Sequence, residues 1–245
     1  MKAMIFAAGL GTRLKPFTDA KPKALFPVCG KPLLEHIIKK LIASGFDEMI
    51  INVHHFSEQI IDFLRQNNNF GVRIEISDEK KSLLDTGGGI KKVESFFDDG
   101  EPFLVHNVDI LSDVDLTAFY EYHLSRENAI ATLLTGNRKT IRYLLWDASD
   151  RLAGWINTQT GEVKSPLSRF NPENYVRSAF GGIHILSPSV FDYMKNRPEK
   201  ISIIDFYLSI ADKANIFRYT PKNGQLVDVG KPESILAAEK MINSQ

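Results

Sequence analysis

The chain has 245 residues, and its 30 basic and 30 acidic side chains balance to a formal net charge of zero. That balance gives no electrostatic support for attraction to nucleic acid or to an anionic membrane, so we expect neither as a partner. The single cysteine, Cys29, excludes an internal disulfide, and no apolar stretch approaches the roughly 20 residues that a membrane-spanning helix needs. These features predict a cytoplasmic protein, either a monomer or a small homo-oligomer.

Short apolar runs predict strands, and stretches whose apolar residues recur every three or four positions predict helices. In the first half these are a strand at 2–8, a helix that opens at Lys31-Pro32 and ends near Gly45, a strand at 49–53, a helix capped by Ser57, a strand at 72–76, a helix that follows the glycine run Gly87-Gly88-Gly89 and continues to about Phe97, and a strand at 103–106. The second half is predicted to contain strands at 130–135, 143–146 and 182–186, two short helices with one at 203–211, a strand at 225–229 and a helix from Pro232 onward.

The alternation of strand and helix in the first half is typical of the βαβ units of a parallel sheet. The predicted fold class is therefore α/β, with a Rossmann-like mixed, mostly parallel sheet and helices on both faces. No internal repeat or linker-like change in composition divides the sequence. It predicts a single domain over residues 1–245.

A glycine loop follows the first predicted strand, with Gly9 and Gly11 at its start. Glycines at the carboxyl edge of a parallel sheet let backbone N–H groups approach an anion closely. The cations that follow in this loop are Arg13, Lys15, Lys21 and Lys23. Fixed cations beside backbone donors suit the charge on phosphoryl oxygens, so the loop is a candidate phosphate cradle.

Two other phosphate-binding motifs do not fit the loop. A dinucleotide fingerprint requires a third glycine where Leu14 stands, and no short turn into a helix follows. A P-loop requires Gly-Lys-Ser/Thr, which is absent from this segment. A tight turn with incidental surface lysines stays open on the residues alone.

The whole string resembles the signature of the sugar-1-phosphate nucleotidylyltransferases. Its elements are Gly9 to Thr18, Pro22-Lys23 and Lys31-Pro32. The resemblance implies that Gly9, Gly11 and Thr12 wrap a nucleoside triphosphate. It implies that Arg13 stabilises the leaving pyrophosphate and that Lys23 contacts the reacting phosphates. It further implies a nucleotide-binding half at 1–125 and a sugar-binding half at 126–245.

By the same resemblance, Asp109 and Asp228 hold Mg²⁺, and Asn107 lies in the nucleotide site. Both aspartates stand at the ends of predicted strands, and carboxylates with phosphate oxygens are the ligands that a hard divalent cation prefers. One departure from the family pattern lies beside them. Val108 stands where relatives have glycine, so the valine either alters the local geometry or points its side chain away.

The second glycine run resembles the base-recognition loop of the family, which implies that Thr86, Gly87 and Gly88 contact the nucleobase. A flexible turn also explains these glycines. In the second half, Ile156-Asn157-Thr158 replaces the Glu-Lys-Pro of many relatives. With that replacement and the segment Phe180-Gly181-Gly182-Ile183-His184, the chain is most similar to the N-acetylmuramate 1-phosphate uridylyltransferases of cell-wall recycling.

The resemblance therefore implies nucleotidyl transfer from a triphosphate, UTP in that subfamily, to a sugar 1-phosphate, with release of pyrophosphate. A mannose-1-phosphate guanylyltransferase and a phosphocholine cytidylyltransferase remain alternatives. A catalytically silent paralogue that senses sugar nucleotides is the non-enzymatic alternative, and Val108 is the one feature that favours it. A dinucleotide-binding oxidoreductase is disfavoured because Leu14 breaks its fingerprint.

Overall fold

A computed structural model describes residues 1–80 and 83–244 of the chain. The strands are β1 (Lys2–Phe6), β2 (Pro27–Val28), β3 (Lys31–Pro32), β4 (Glu48–Val53), β5 (Arg73–Asp78), β6 (Phe103–Asn107), β7 (Ile110–Ser112), β8 (Ala129–Gly136), β9 (Arg142–Trp146), β10 (Leu152–Asn157), β11 (Val163–Lys164), β12 (Val176–Leu186), β13 (Asn215–Tyr219) and β14 (Leu226–Asp228). The α-helices are α1 (Leu33–Ala43), α2 (Ser57–Gln66), α3 (Asp85–Lys92), α4 (Leu116–Leu124), α5 (Val190–Met194), α6 (Ile203–Leu208) and α7 (Ile235–Asn243).

The chain forms two compact units, each assembled from segments that are discontinuous in sequence. The first comprises Met1–Leu83, Phe103–Thr117 and Asn223–Gln245, and the second comprises Leu84–Pro102 and Ala118–Lys222. The proposed assignment of nucleotide binding to residues 1–125 and sugar binding to residues 126–245 stays a prediction. In the described part of the chain, no helix is long and apolar enough to cross a membrane.

The first unit contains a parallel sheet in the order β6-β1-β4-β5. Its central strands are buried because both carry continuous apolar runs, as strands covered on both faces do. Met4 and Ile5 of β1 and Ile51 of β4 are fully inaccessible to solvent. The carboxyl ends of these strands share one edge, which is where the glycine loop leaves β1.

The second unit contains a mixed sheet in the order β11-β10-β9-β12-β8-β13. The β8–β13 pair is parallel, and the other pairs in this order are antiparallel. The long strand β12 pairs with β9 through Val176–Ser178 and with β8 through its later residues. The α/β fold with a mixed sheet is thus confirmed.

Several predicted boundaries differ from the observed ones for local reasons. Lys31-Pro32 forms β3, which pairs with β2, so α1 begins at Leu33. The N-cap of α2 is Phe56, in the left-handed region with φ 56°, and Ser57 is already helical. Helix α3 contains the glycine run instead of following it, and it ends at Lys92 before a separate 3-10 turn.

Strand β12 begins well before its predicted start at Gly182. A register shift lies between Phe180 and His184, and Gly182 has a φ of 75° there. A bulge of this kind breaks the period-2 pattern on which strand prediction depends. The periodicity therefore does not reveal the first part of β12.

His123 of α4 is a buried imidazole in the second unit, with 2% of its surface exposed. One ring nitrogen, Nδ1, lies 2.8 Å from Thr132 Oγ1, and the other, Nε2, lies 3.0 Å from Ser187 Oγ. Burial lowers the pKa of His123 from 6.5 to about 4. The folded protein therefore keeps this imidazole neutral at pH values where the unfolded chain protonates it.

We expect the free energy of unfolding to fall as the pH drops from about 6.5 to about 4, because protons bind preferentially to the unfolded chain there. The His123 contribution is fully present above pH 6.5, and its loss amounts to about 3 kcal/mol. In His123→Gln this part of the pH dependence disappears. Urea unfolding across that pH range measures the slope.

His55→Gln, at an exposed histidine, is the matched control and keeps the wild-type slope. Parallel stability curves for the wild type and His123→Gln would contradict the assignment.

Candidate functional site

The glycine loop folds tightly against residues that follow it in the first unit. Gly11 has a φ of 64°, and its carbonyl accepts hydrogen bonds from Leu14 N at 2.9 Å and Thr18 Oγ1 at 2.9 Å. A Cβ at Gly11 would lie 2.8 Å from Thr18 Cγ2 and 2.9 Å from Lys23 Cβ. Glycine is therefore required at position 11, because both the backbone conformation and the space exclude a side chain. Around the equivalent position at Gly9, the described part of the chain places no packing neighbour within 4 Å.

Lys23 is the buried cation of this loop, with 7% of its surface exposed. It begins a 3-10 turn, and its Nζ forms an ion pair with Asp109 Oδ2. Side chains of this kind are rarely buried without a partner, because removal of a charge from water is costly. The ion pair ties the glycine loop to the turn between β6 and β7.

The two predicted metal ligands lie on neighbouring backbone segments. Strand β7 pairs antiparallel with β14, which places Asp228 opposite Ile110. Val229 N donates to the carbonyl of Asp109 at 2.8 Å. The sequence predicts that these carboxylates meet at a sheet edge, and the structure brings their backbones together through a separate two-stranded β7–β14 sheet.

Gly230 lies between Arg13 and Asp228. A Cβ at Gly230 would lie 2.6 Å from Arg13 Nη2 and 2.6 Å from Asp228 Oδ1. Gly230 N also donates to Asp228 Oδ1 at 2.9 Å. The glycine therefore allows the guanidinium and the carboxylate to approach the same stretch of backbone.

Asp109 and Asp228 fit a divalent cation whose remaining ligands come from the substrate and from water. In the described residues no group of three or more His, Cys, Asp or Glu side chains can enclose a metal. Magnesium is commonly held by one or two carboxylates while phosphates and water complete its shell. Two aspartates beside a cationic loop match that arrangement.

Val108 does not enter the site. Its side chain is 4% exposed and belongs to the hydrophobic core, and its N–H donates to the carbonyl of Phe6 at 3.1 Å. This burial favours the second of the two possibilities that the sequence left open, in which the valine side chain points away from the metal ligands. Asn107, at the end of β6, lies in register with Phe6 at the end of β1.

His106 is a neutral core residue of β6. Burial is the main cause that lowers its pKa from 6.5 to about 4, and the charge of Lys40 acts in the same direction. Its Nδ1 donates to the carbonyl of Asn107 at 2.9 Å.

The second glycine run lies in the second unit, where it packs against an extended segment of backbone. Gly87 N and Gly88 N donate to the carbonyl of Ile201 at 2.8 Å and 3.2 Å. A Cβ at Gly88 would lie 1.9 Å from the carbonyl oxygen of Glu199. Thr86 Oγ1 accepts a hydrogen bond from Ile203 N at 3.0 Å. Helix packing thus requires these glycines, and their contact with a nucleobase stays a prediction.

The segment that replaces Glu-Lys-Pro ends β10 with Ile156 and Asn157 and begins the turn to β11 with Thr158. Asn157 is 8% exposed, and its Oδ1 accepts from Gln159 N at 3.0 Å and Thr160 N at 3.3 Å. An asparagine that closes such a turn has a structural function, since it satisfies backbone donors of the loop. The side chain of Asn157 therefore stabilises the turn.

Sequence reasoning missed two contributors to the site in the first unit. One is Gly230, because nothing in its local sequence pattern shows that Arg13 lies against it. Asn52 interrupts the apolar run of β4 and is 1% exposed. A polar residue inside an otherwise apolar strand was the signal that could have identified it.

A parallel sheet with a glycine loop and cations at its carboxyl edge defines an α/β nucleotide-binding class of protein. Residues 2–245 match the model of the nucleotidyl transferase family, and the chain belongs to that family. Divalent metals are in general use among its members.

Three curated relatives illustrate the similarity. The N-acetylmuramate alpha-1-phosphate uridylyltransferase of Neisseria meningitidis is 44% identical over 77% of this chain and 83% of its own length. The enzyme of the same name from Caulobacter vibrioides is 31% identical over 97% of this chain and 95% of its own. The UTP--glucose-1-phosphate uridylyltransferase of Synechocystis is 32% identical over 94% of this chain, which spans 60% of that relative's length.

Solved structures agree on the fold. HddC from Yersinia pseudotuberculosis superimposes with a TM-score of 0.77 at 22% identity, over 98% of this chain and 99% of that one. A UDP-glucose pyrophosphorylase from Acinetobacter superimposes with a TM-score of 0.76 at 19% identity, over 97% of this chain and 91% of that one.

We expect Gly11→Ala to lower the free energy of unfolding by about 2 kcal/mol or more, because it combines a left-handed backbone with overlap against Thr18 and Lys23. Gly9→Ala is the matched control in the same loop and changes that free energy by less than about 1 kcal/mol. Thermal or urea unfolding measures both. Equal stability of the two variants would show that the loop does not pack as described.

Proposed function

We propose that this chain transfers a uridylyl group from UTP to a sugar 1-phosphate, with N-acetylmuramate 1-phosphate as the acceptor, and releases pyrophosphate. The observation that carries the proposal is the convergence of Arg13, Lys23 and the two aspartates beside the glycine loop of the first unit. The 44% identity to the Neisseria uridylyltransferase supports the choice of base and sugar.

In this reaction an oxygen of the sugar 1-phosphate attacks the α-phosphorus of the triphosphate. The bond from that phosphorus to the bridging oxygen of the β-phosphate breaks, and pyrophosphate leaves with the electron pair. The attacking oxygen is already anionic at neutral pH, so no general base is needed. Catalysis then depends on in-line positioning and on neutralisation of phosphoryl charge.

Different residues of the loop bind the triphosphate and neutralise its charge. The backbone N–H groups around Gly9, Gly11 and Thr12 bind the triphosphate, and the exposed guanidinium of Arg13 stabilises the leaving pyrophosphate. Lys23 is oriented by its ion pair with Asp109, so that its charge lies at the reacting phosphates.

Asp109 and Asp228 would hold Mg²⁺, which supplies Lewis-acid stabilisation of the phosphoryl oxygens when it is bound. Since two carboxylates leave most of an octahedral shell to other ligands, we infer that the cation binds together with the triphosphate. Asn107 is assigned to the nucleotide site, and Thr86, Gly87 and Gly88 to base recognition. A cytoplasmic location and a monomeric or small homo-oligomeric state complete the proposal.

A panel of triphosphates and acceptors tests the proposed reaction. UTP, GTP, dTTP, CTP and ATP are each combined with N-acetylmuramate 1-phosphate, glucose 1-phosphate, mannose 1-phosphate or phosphocholine, with MgCl₂ or with EDTA. We expect the fastest pyrophosphate release from UTP with N-acetylmuramate 1-phosphate and no release in EDTA.

Preference for GTP with mannose 1-phosphate or for CTP with phosphocholine would replace the proposed substrates. No release from any combination would overturn enzymatic function and favour the sensing paralogue.

Arg13→Ala tests the role of the exposed guanidinium. We expect kcat to fall by about 100-fold while KM for UTP changes little, because the charge it neutralises develops mainly in the transition state. Steady-state pyrophosphate release measures both constants. Lys21→Ala removes an exposed cation from the same loop and keeps kcat near that of the wild type. A normal kcat in Arg13→Ala would remove this residue from the mechanism.

A further inference from the structure

A buried amide stands at the end of β4, beside the point where the glycine loop leaves β1. Asn52 is 1% exposed and lies in register with Phe6 of β1 on one side and Ser77 of β5 on the other. Its neighbours in β4, Ile51 and Val53, are apolar and buried, so the amide is the one polar side chain among the buried residues of this strand. A buried amide of this kind is costly unless all of its donors and acceptors are bonded.

The oxygen of this amide binds the backbone just before the loop. Asn52 Oδ1 accepts hydrogen bonds from Ala7 N at 2.9 Å and Ala8 N at 3.3 Å. The backbone carbonyl of Asn52 also accepts from Ala7 N at 3.2 Å. Ala7 and Ala8 immediately precede Gly9, and both are almost completely buried. The side chain thus continues the pairing of β1 with β4 beyond the last paired residue of β1.

The nitrogen of the amide binds a buried carboxylate. Asn52 Nδ2 donates to Glu79 Oε1 at 2.8 Å, and Glu79 is 2% exposed. The backbone of Glu79 is fixed as well, since its N–H donates to the carbonyl of Val53 at 2.8 Å and its carbonyl accepts from His54 Nδ1 at 2.8 Å.

The chemistry of the two partners determines which way the amide faces. Glu79 Oε1 is a hydrogen-bond acceptor for the amide, so the NH₂ group of Asn52 faces Glu79. Backbone N–H groups only donate, so the amide oxygen must face Ala7 and Ala8. Glu79 therefore holds Asn52 in the one orientation that binds the entry to the loop.

We propose that Asn52 is a positioning residue for the triphosphate loop, and that Glu79 acts through it. The pair fixes Ala7 and Ala8, and with them the direction in which the N–H groups of the following loop point. This inference rests on the proposed function, because it takes the loop to be the triphosphate-binding element.

Exchange of the amide and the carboxyl group between positions 52 and 79 tests the proposal. Asn52→Asp keeps an acceptor for Ala7 and Ala8 but places a carboxylate against Glu79. Glu79→Gln alone keeps an acceptor for Asn52 Nδ2. The double variant Asn52→Asp/Glu79→Gln reverses the pair, since the amide introduced at position 79 then donates to the carboxylate introduced at position 52. The hydrogen bonds to the entry of the loop are restored in that variant.

We expect Asn52→Asp to lower kcat/KM for UTP by about 10- to 100-fold, because the amide donor to Glu79 is replaced by a second carboxyl group. Glu79→Gln and the double variant stay within about threefold of the wild type, so the cycle is strongly non-additive. The KM for the sugar 1-phosphate stays unchanged throughout. Asn171→Asp is the control, because Asn171 is an exposed turn residue whose Oδ1 accepts from Glu173 N.

The increase in melting temperature caused by UTP and MgCl₂ is measured in parallel for every variant. It reports on nucleotide binding without turnover, and we expect it to be lost in Asn52→Asp and regained in the double variant. A merely structural role would lower all melting temperatures without this pattern. Should Asn52→Asp fail to fold alone, a folded double variant with wild-type kcat/KM still supports the exchange.

The proposal is overturned if folded Asn52→Asp is as active as the wild type, or if the folded double variant is as defective as Asn52→Asp. Wild type that binds UTP but releases no pyrophosphate would overturn the proposed reaction alone, and the melting-temperature pattern would then decide the role of Asn52. Wild type that binds no nucleotide would overturn both.

Discussion

The ion pair between Lys23 and Asp109 is the interaction on which the candidate site depends. It joins the glycine loop to the turn after β6, two segments that are far apart in the sequence. Because Lys23 is buried, loss of Asp109 would leave an uncompensated charge in the interior. Under the proposed function the same ion pair would also orient both side chains for phosphate and metal binding, so packing and the proposed catalysis would share one contact.

Three glycines are required by close neighbours, each within its own unit of the chain. Gly11 makes room for Thr18 and Lys23, and Gly230 makes room for Arg13 and Asp228. Gly88 makes room for the backbone at Glu199 in the second unit. Of these three glycines, Gly11 alone has a positive φ, so a backbone conformation that favours glycine applies only at position 11. Close approach of another segment explains the other two.

The charged groups at the candidate site suit phosphate binding, and the proposed reaction needs no titrating base. The buried histidine nearest the aspartates, His106, is neutral because burial lowers its pKa to about 4. The groups that carry charge are the loop cations and the paired carboxylates. This composition suits transfer between phosphates, where the nucleophile is ionised before it binds and the transition state gains from fixed positive charge.

The sequence by itself determined the fold class, the parallel direction of strands within the βαβ units, and the family. These follow from periodicity and from a contiguous motif at Gly9–Thr18. It also pointed to Asp109 and Asp228 through that resemblance. The tertiary structure decided which distant segments contact each other at the site. The β7–β14 pair brings the two aspartates together, Gly230 admits Arg13, and Asn52 holds the entry to the loop. Periodic patterns report which face of an element is buried, but they contain no information on which distant segment covers it. Those contacts between distant segments form only when the chain folds.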